Sequence, residues 1–597
     1  MHLSLLFQCF VALLPLVEAQ CKCIPGQACW PSQLTWSRFN ETIDGKLVLT
    51  SPLGSSCYSG PHTNQIACEA ATNGWTNSTY RASQPLGYDY PLNDSCPLTA
   101  LSANTPSSEC SIGSWPMYAV NVTDEEDIVK SIKFARQSNL RLVIKSTGHD
   151  FLQRSTGYGS LSIWLHHLRQ GYTLNDHNPG LKDCLESGWN GSTITIKGSY
   201  AWSDLYPAAK EKGVILVGGN SVGPCSTGGW VQGGGHSPVT RYYGIGADQV
   251  LSARVVLASG KVVTASPCQH KELFYAIRGG GGGTYGVVTE MTVKTYPTEK
   301  VVVASIVIGS EGDDGVSDFL DAVTTVYSSY PDLSTLGFAG YGYWSTYTRP
   351  GLVFGNYTNV LQQSFLILQR SEDQARTLFH PFEKKILRFN DTQKSTNVTI
   401  TWKSYPDYGS YFDAKTDSDG RVGGVSAMSS RLLDNKALSA NTTRLRQDMN
   451  IMAGSPGNPV FHTIVHHGLE VSEIGSEHRI MSAVQPGWYN SVILNIFEKS
   501  MNGTQVDDNI KAFTELRDII SPVYRLASPT TGTYMNEADW GDSNWRQDFY
   551  GAHWQNLGEI KARYDPSGVF YCQTCVGSDL WREDKNKALC KVGSYQS

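Results

Sequence analysis

Five consecutive glycines, Gly279 to Gly283, lie between Leu273-Phe274-Tyr275-Ala276-Ile277-Arg278 and Val287-Val288-Thr289. A run without Cβ atoms pays too much backbone entropy to be the interior of a helix or strand, so it must be a turn. With Gly286 it contains the pattern Gly281-x-Gly283-x-x-Gly286, a literal dinucleotide fingerprint. That fingerprint works when a strand enters the turn and a helix leaves it, so that the helix N-terminus faces a pyrophosphate. Here the order is reversed: a short helix over Glu272 to Ile277, the glycines, then a strand over Val287 to Tyr296. The order argues against a Rossmann nicotinamide site. A second glycine-dense stretch runs from Gly218-Gly219 to Gly233-Gly234-Gly235, where a purely structural tight turn is the alternative. A third loop, Ser146-Thr147-Gly148-His149-Asp150, opens from the apolar strand Arg141 to Lys145. Consecutive small residues there can turn several backbone N–H groups toward one anion. Three such loops in one α+β region fit a large, extended cofactor.

The chain has 597 residues, enough for two or more domains with buried cores. Forty-eight Lys+Arg against 54 Asp+Glu give a net charge of −6, with no basic run. Phosphate neutralisation needs clustered Lys and Arg, so no nucleic-acid partner is expected. The apolar run Leu3 to Val17, ending at Val17-Glu18-Ala19, reads as a secretory leader (1–19) without the usual basic start. Pro15 and the shortness of the run argue against a membrane span. Ten Asn-x-Ser/Thr sequons, at Asn40, Asn77, Asn93, Asn121, Asn190, Asn356, Asn390, Asn397, Asn441 and Asn502, support an extracellular glycoprotein. Of 14 cysteines, Cys9 leaves with the leader and seven lie between Cys21 and Cys110, so disulfides are expected. The remaining 13 are odd, leaving at least one sulfur not paired within the chain. Cys572-x-x-Cys575 lacks a second pair to complete a zinc site, so it reads as a disulfide, and no metal is expected.

Composition divides the chain into a loop-rich Cys-containing segment (20–110), an αβ region (111–299), an apolar-polar alternating region (300–527) and a Gly/Tyr/Trp-rich tail (528–597). Asp124-Glu125-Glu126 followed by Ile128, Ile132 and Ala135 predicts a helix. Strands are predicted over Phe338 to Tyr347, Phe461 to His467 and Asn490 to Asn495. In the second of these, His462 and His466 share one face and His467 takes the other. Trp402, Tyr341, Tyr343 and Trp488 could stack on a sugar or aromatic substrate, or simply fill a core.

The segment Ile144-Lys-Ser-Thr-Gly-His149-Asp-Phe resembles the pyrophosphate loop of FAD-linked oxidases of the vanillyl-alcohol oxidase and p-cresol methylhydroxylase type. Gly228-Gly229-Trp-Val-Gln-Gly233-Gly-Gly-His236, Gly246-Ala-Asp248-Gln-Val-Leu-Ser, Leu273 through Val287-Val288 and Tyr550 through Tyr564-Asp-Pro are similar to the secreted, berberine-bridge-enzyme-like branch. The resemblance implies an α+β fold: a two-lobed FAD-binding domain (111–299), a substrate domain on an antiparallel sheet (300–527), and a C-terminal return (528–597). It implies FAD held by Lys145, Ser146, Thr147, Gly148, His149, Cys225, Gly228, Gly229, His236, Val287 and Val288. In the family the loop histidine is commonly bonded to the flavin 8α carbon, which carries over to His149. Such a bond would keep a secreted enzyme from losing FAD by dilution and would raise the flavin's potential. Many relatives add a bond from a cysteine six positions before the Gly-Gly pair; here that position is Val222, whereas Cys225 lies three before Gly228. The register favours a single bond through His149, although a bond at Cys225 would explain the odd cysteine count.

The implied chemistry is hydride transfer from an alcohol or carbohydrate hydroxyl to flavin N5, with O2 taking the electrons to give hydrogen peroxide. The enzyme is expected to act as a monomer on a small molecule or oligosaccharide. A dehydrogenase using a quinone-type acceptor and a catalytically silent flavin-binding glycoprotein are the alternatives. In relatives a Tyr-x-Asn-Tyr motif supplies the base; here the run is Tyr534-Met535-Asn536-Glu537. Glu537 is the expected base, desolvation beside the flavin raising its basicity. Tyr534 is the alternative, and a structural pairing of Glu537 is equally compatible. His466 is a further candidate, for alkoxide stabilisation or proton relay.

Overall fold

The computed structural model describes residues 21–60, 63–92, 94–98, 110–178, 188–349, 356–392, 395–416, 422–469, 482–501 and 506–592. The leader expected at 1–19 and the sequons at Asn93 and Asn502 lie outside them. Two sheets carry the first half of the chain. In the smaller, Leu142–Lys145 and Tyr118–Asn121 flank Leu161–Trp164, both parallel to it, and Leu47–Leu49 adds an antiparallel edge. The crossover helix Glu125–Gln137 starts at a capping box: Asp124 accepts from the Asp127 N–H, and the Asp127 carboxylate reaches back to the Asp124 N–H. Its Ile128, Ile132 and Ala135 are buried against this sheet, as their spacing predicted.

The second sheet is antiparallel, in the order Arg169–Asn175, Thr193–Gly198, Val287–Lys294, Val250–Val256, Val262–Ala265. The helix Lys271–Ile277 precedes its central strand, and the glycine run joins the two. Gly279, Gly281 and Gly283 have φ of +120°, +94° and +70°, which L side chains avoid. A Cβ on Gly279 would also lie 2.2 Å from the Val484 backbone nitrogen.

A seven-stranded antiparallel sheet fills the second half: Thr396–Tyr405, Val301–Ser310, Asn359–Leu368, Ala339–Ser345, Phe461–His466, Ile493–Ser500, Ser426–Leu433. Alternation divides its side chains. Val302, Ala304, Ile306, Ile308 and Trp344 join a core with the helices Val316–Thr335, Glu372–Leu387 and Thr442–Met452. On the opposite face Tyr341, Val465, Leu494 and Leu432 lie in register and pack with Ile245, Trp488 and Tyr534 of the flanking segments. That face closes the site described below.

The Cys-rich segment is more ordered than its loop-like composition suggested. It contains helices Gln33–Thr42, Gln65–Gly74 and Ser78–Ala82, capped by Ser32, Asn64 and Asn77. Disulfides join Cys23–Cys29, Cys57–Cys68, Cys96–Cys110 and Cys572–Cys575, and Cys21–Cys590 ties the segment to the tail. Cys268 is also disulfide-bonded, whereas Cys225 is free and buried. The tail packs onto the second sheet through Phe549, Tyr550, Leu557 and Ile560. Among the described residues no helix is long and apolar enough to cross a membrane.

Candidate functional site

All three glycine loops line one cleft, whose empty volume, mouth included, is ≈ 1170 Å³. Ser146, Thr147, Gly148 and His149 form one wall directly after the strand Leu142–Lys145. Gly148 has φ +87°, so this loop turns as a nest of backbone N–H groups requires. Gly228 and Gly229, at the start of a short helical turn, form the second wall, and Gly282, Gly283 and Gly286 the third. The second and third walls touch: a Cβ on Gly282 would fall 2.9 Å from Gly229 Cα. A Cβ on Gly229 would meet no protein atom within 4 Å, so the glycine keeps that space clear. Cys225, His236, Val287, Val288, Tyr534 and Glu537 also line the cleft.

Two interactions lock the tail to the glycine loops. Asn536 Nδ2 donates to the Gly229 carbonyl at 3.0 Å and to the Tyr534 hydroxyl at 2.8 Å. Arg154 donates to Asn536 Oδ1 at 3.3 Å and to Thr574 Oγ1 at 3.2 Å, while its buried Nε has no partner. Lys561 ties the far end of the glycine run, donating to the Thr284 carbonyl, the Phe570 carbonyl and Asp565, each at 2.7 Å.

On the side of the seven-stranded sheet, Glu537, His236 and Tyr341 form a hydrogen-bonded string. His236 Nε2 is 3.2 and 3.3 Å from the two Glu537 carboxylate oxygens, and Nδ1 is 2.7 Å from the Tyr341 hydroxyl. The arrangement fits a neutral imidazole whose Nε2–H donates to Glu537 while Tyr341 donates to Nδ1. Burial, then the charge of Glu537, pushes the Tyr341 phenol well above its ordinary range. The same two causes raise Tyr534, which therefore keeps its proton and is poorly suited to act as a base. Glu537 thus sits in the cleft with an imidazole partner that the sequence did not reveal.

Two expected site residues lie elsewhere. Ile144 lines the cleft, so strand alternation sends Lys145 the other way. Lys145 Nζ donates to the Ala82 and Gln84 carbonyls of the Cys-rich segment, at 3.5 and 3.1 Å, and contacts the rings of Tyr88 and Trp164. Burial pushes this ammonium down to about 7. It is a strut behind the loop, not a pyrophosphate contact. His466 faces the helical layer: its Nε2 is 2.6 Å from Ser334 Oγ, and its ring packs on Tyr330 and Phe365. His462 shares that face, stacked on Trp344 at 4.0 Å. Of the aromatic candidates, Trp488 packs beside His236 and Tyr534, Trp402 packs on Phe379 within the helical layer, and Tyr343 is 37% exposed.

His149 has a partner that sequence reasoning missed. Asp89 Oδ2, from the Cys-rich segment, is 2.9 Å from His149 Nδ1. Phe151, Arg154 and Gln232 also line the cleft. Their nearness to the named motifs was the one signal that could have found them.

A cleft walled by three glycine-containing loops, with an acid–imidazole–phenol string beside it, defines a protein built to hold an extended dinucleotide cofactor next to a proton-handling group. Comparison with known proteins identifies the cofactor. Residues 116–266 match the FAD binding domain, and residues 533–577 match the berberine and berberine-like domain. FAD-linked oxidoreductase apf9 of Gibberella fujikuroi is 53% identical over 97% of this chain and 98% of its own length. FAD-linked oxidoreductase hmp9 of Hypomyces subiculosus is 36% identical over 96% of this chain and 90% of its own. Among solved structures, VAO-type flavoprotein MtVAO713 of Myceliophthora thermophila C1 superposes with TM-score 0.91 at 34% identity, covering 96% of this chain and all of that one. A glucooligosaccharide oxidase of Acremonium strictum shares the fold, with TM-score 0.60 at 16% identity, over 78% of this chain and 91% of that one. The chain belongs to the FAD-linked oxidoreductases of the VAO type, with a berberine-bridge-like C-terminal segment.

Proposed function

We propose that this protein is a secreted, monomeric flavoprotein oxidase that removes hydride from an alcohol or carbohydrate hydroxyl, with Glu537 as the base and O2 as the final electron acceptor, giving hydrogen peroxide. The observation that carries the reading is the Glu537–His236–Tyr341 string in the same cleft as the His149 loop. Bound FAD supplies the two-electron acceptor. The backbone nest at Ser146–Gly148 and the glycine walls leave room for its pyrophosphate, and the orphaned Arg154 Nε–H offers a buried donor that a polar cofactor atom would satisfy. His149 is the attachment point for the 8α position. Val287 and Val288 line the cleft as apolar wall.

Glu537 receives the hydroxyl proton at one carboxylate oxygen while its carboxyl keeps the hydrogen bond from His236 Nε2–H, and Tyr341, donating to Nδ1, holds the imidazole in that tautomer. Disulfides and sequon asparagines at the surface, among them Asn77, Asn190, Asn356, Asn390, Asn397 and Asn441, support extracellular action. Chitooligosaccharide and glucooligosaccharide oxidases share the fold, which supports sugars as the first substrates to test. The decisive experiment mixes purified protein anaerobically with a panel of sugars, alcohols and phenols and follows the flavin absorbance. Bleaching by a hydroxyl compound, then peroxide on admitting air, is expected. No bleaching by any member, or recovery only with an added quinone or dye, contradicts the oxidase reading.

A further inference from the structure

We propose that Asp89 of the Cys-rich segment is the positioning residue that prepares His149 for its bond to the flavin. This rests on the reading that His149 carries the cofactor. Asp89 is wholly buried, yet it lies in a part of the chain that precedes the FAD binding domain match at 116–266. Its Oδ2 sits 2.9 Å from His149 Nδ1 and accepts from Ser78 Oγ at 2.7 Å. Its Oδ1 has no hydrogen-bond partner. Its backbone is fixed at both ends, the N–H donating to the Gly148 carbonyl at 2.9 Å and the C=O accepting from Gly423 at 2.8 Å. Tyr90 and Phe151 stack on each other and meet the His149 ring edge-on, with centroids 5.2 and 5.5 Å away. Imidazole and carboxylate are therefore held as one rigid pair.

The pair is sheltered. A Cβ on Gly223 would fall 2.6 Å from Ser78 Oγ, 3.3 Å from Asp89 Oδ2 and 3.4 Å from His149 Nδ1, so the backbone there lies directly against it. A buried carboxylate is costly unless its charge is answered. Burial pushes the Asp89 carboxyl up, but the hydrogen bond and charge of His149, the Ser78 hydroxyl and the Arg81 guanidinium outweigh it and hold the group below the ordinary carboxylate range. An ionised Asp89 answers the imidazole N–H and raises the electron density of the ring that makes the bond.

One C–H bond of the flavin 8α methyl breaks, its proton leaving to solvent, and one C–N bond to His149 forms. The electron pair of the broken bond enters the flavin and is passed on to O2, which is reduced to hydrogen peroxide. N-alkylation leaves a positive imidazole ring, and the Asp89 carboxylate beside it neutralises that charge. Removing the carboxylate thus removes both the orientation and the charge that the product needs.

The test compares full-length wild type with Asp89→Asn, Asp89→Ala and Ser78→Ala, secreted from one host. Total flavin per chain is read from absorbance, and the tethered fraction from fluorescence of the denatured band. Wild type is expected to be tethered throughout. Asp89→Asn, which keeps shape but not charge, should bind FAD that acid releases, with the tethered fraction lowered about tenfold or more. Ser78→Ala should give an intermediate tethered fraction, and it keeps the test open if Asp89→Ala does not fold. Folded Asp89→Asn tethered as completely and as fast as wild type overturns the role of Asp89 and leaves the tether reading standing. Wild type without flavin on the peptide carrying His149 overturns the tether reading itself, and this role with it.

Discussion

Replacing Glu537 by Gln changes one atom of the side chain and removes the charge that faces His236. In the wild type both carboxylate oxygens lie 3.2 to 3.3 Å from His236 Nε2. The amide keeps an acceptor for that N–H, so the string loses about 1 kcal/mol of charge-assisted hydrogen bonding and the fold is retained. What the amide cannot do is take a proton. A positioned general base contributes about 10²–10⁴-fold to such a step, or roughly 3–5 kcal/mol of barrier. Tyr534, which also lines the cleft, is held protonated by burial and would not replace it. The assay is anaerobic stopped-flow flavin reduction with any substrate that bleaches the wild type. The rate constant should fall by about 10²–10⁴ at unchanged flavin content. A Glu537→Gln enzyme reduced within about twofold of the wild-type rate would refute the assignment, because no positioned base is worth so little. Tyr341→Phe, which deletes only the far end of the string, should cost about tenfold.

Three further outcomes follow from the geometry. A single bond through His149 does not require Cys225, which is free and 3.5 Å from each of the Ser199 and Thr227 hydroxyls, so on that reading Cys225→Ser should keep its flavin through acid precipitation; release of that flavin would contradict a bond through His149. Gly148→Ala places a Cβ at φ +87° and 2.5 Å from the Gly87 carbonyl oxygen, which cannot move freely, so thermal unfolding should show a loss of at least about 2 kcal/mol together with reduced flavin content. Burial holds His462 and His466 down to about 3, against 6.5 for the free side chain. Between those values the unfolded chain carries protons there that the folded chain does not, so stability is intact above pH 6.5 and is lost as pH falls toward 3. Each histidine contributes about 1.4 kcal/mol per pH unit in that window, and His462→Gln should flatten the fall seen in denaturant titrations at pH 6 and 4; an unchanged slope would contradict the assignment.

Glycine chemistry made the cofactor region readable from the chain alone. A run that excludes Cβ atoms favours a close-approach turn, and the order of helix, glycines and strand argued against the commoner dinucleotide fold. Acidic first-turn residues and helical spacing located the helix Glu125–Gln137. What the chain did not disclose is pairing across distance. Glu537 and His236 are 301 residues apart and Asp89 and His149 are 60 apart, and no local pattern links either pair. Facing was only half legible: alternation put His462 and His466 on one side of their strand, but which side met the helices depended on Tyr330, Ser334 and Trp344 from other elements. Lys145 was carried over with the rest of the pyrophosphate loop that the resemblance implied, whereas its strand neighbour Ile144 already claims the cleft side. The Cys-rich segment looked like loop because short helices capped by Ser32, Asn64 and Asn77 lack a long apolar stripe.

The central claim is that a flavin is fixed to the imidazole at position 149. Protease digestion of the secreted protein and mass measurement of the peptide spanning Ser146 to Arg154 tests it without reference to substrate. The peptide is expected to carry the mass of FAD on His149 and to fluoresce after acid treatment. A peptide of unmodified mass, from protein that is colourless or gives up all its yellow colour to acid, would contradict it.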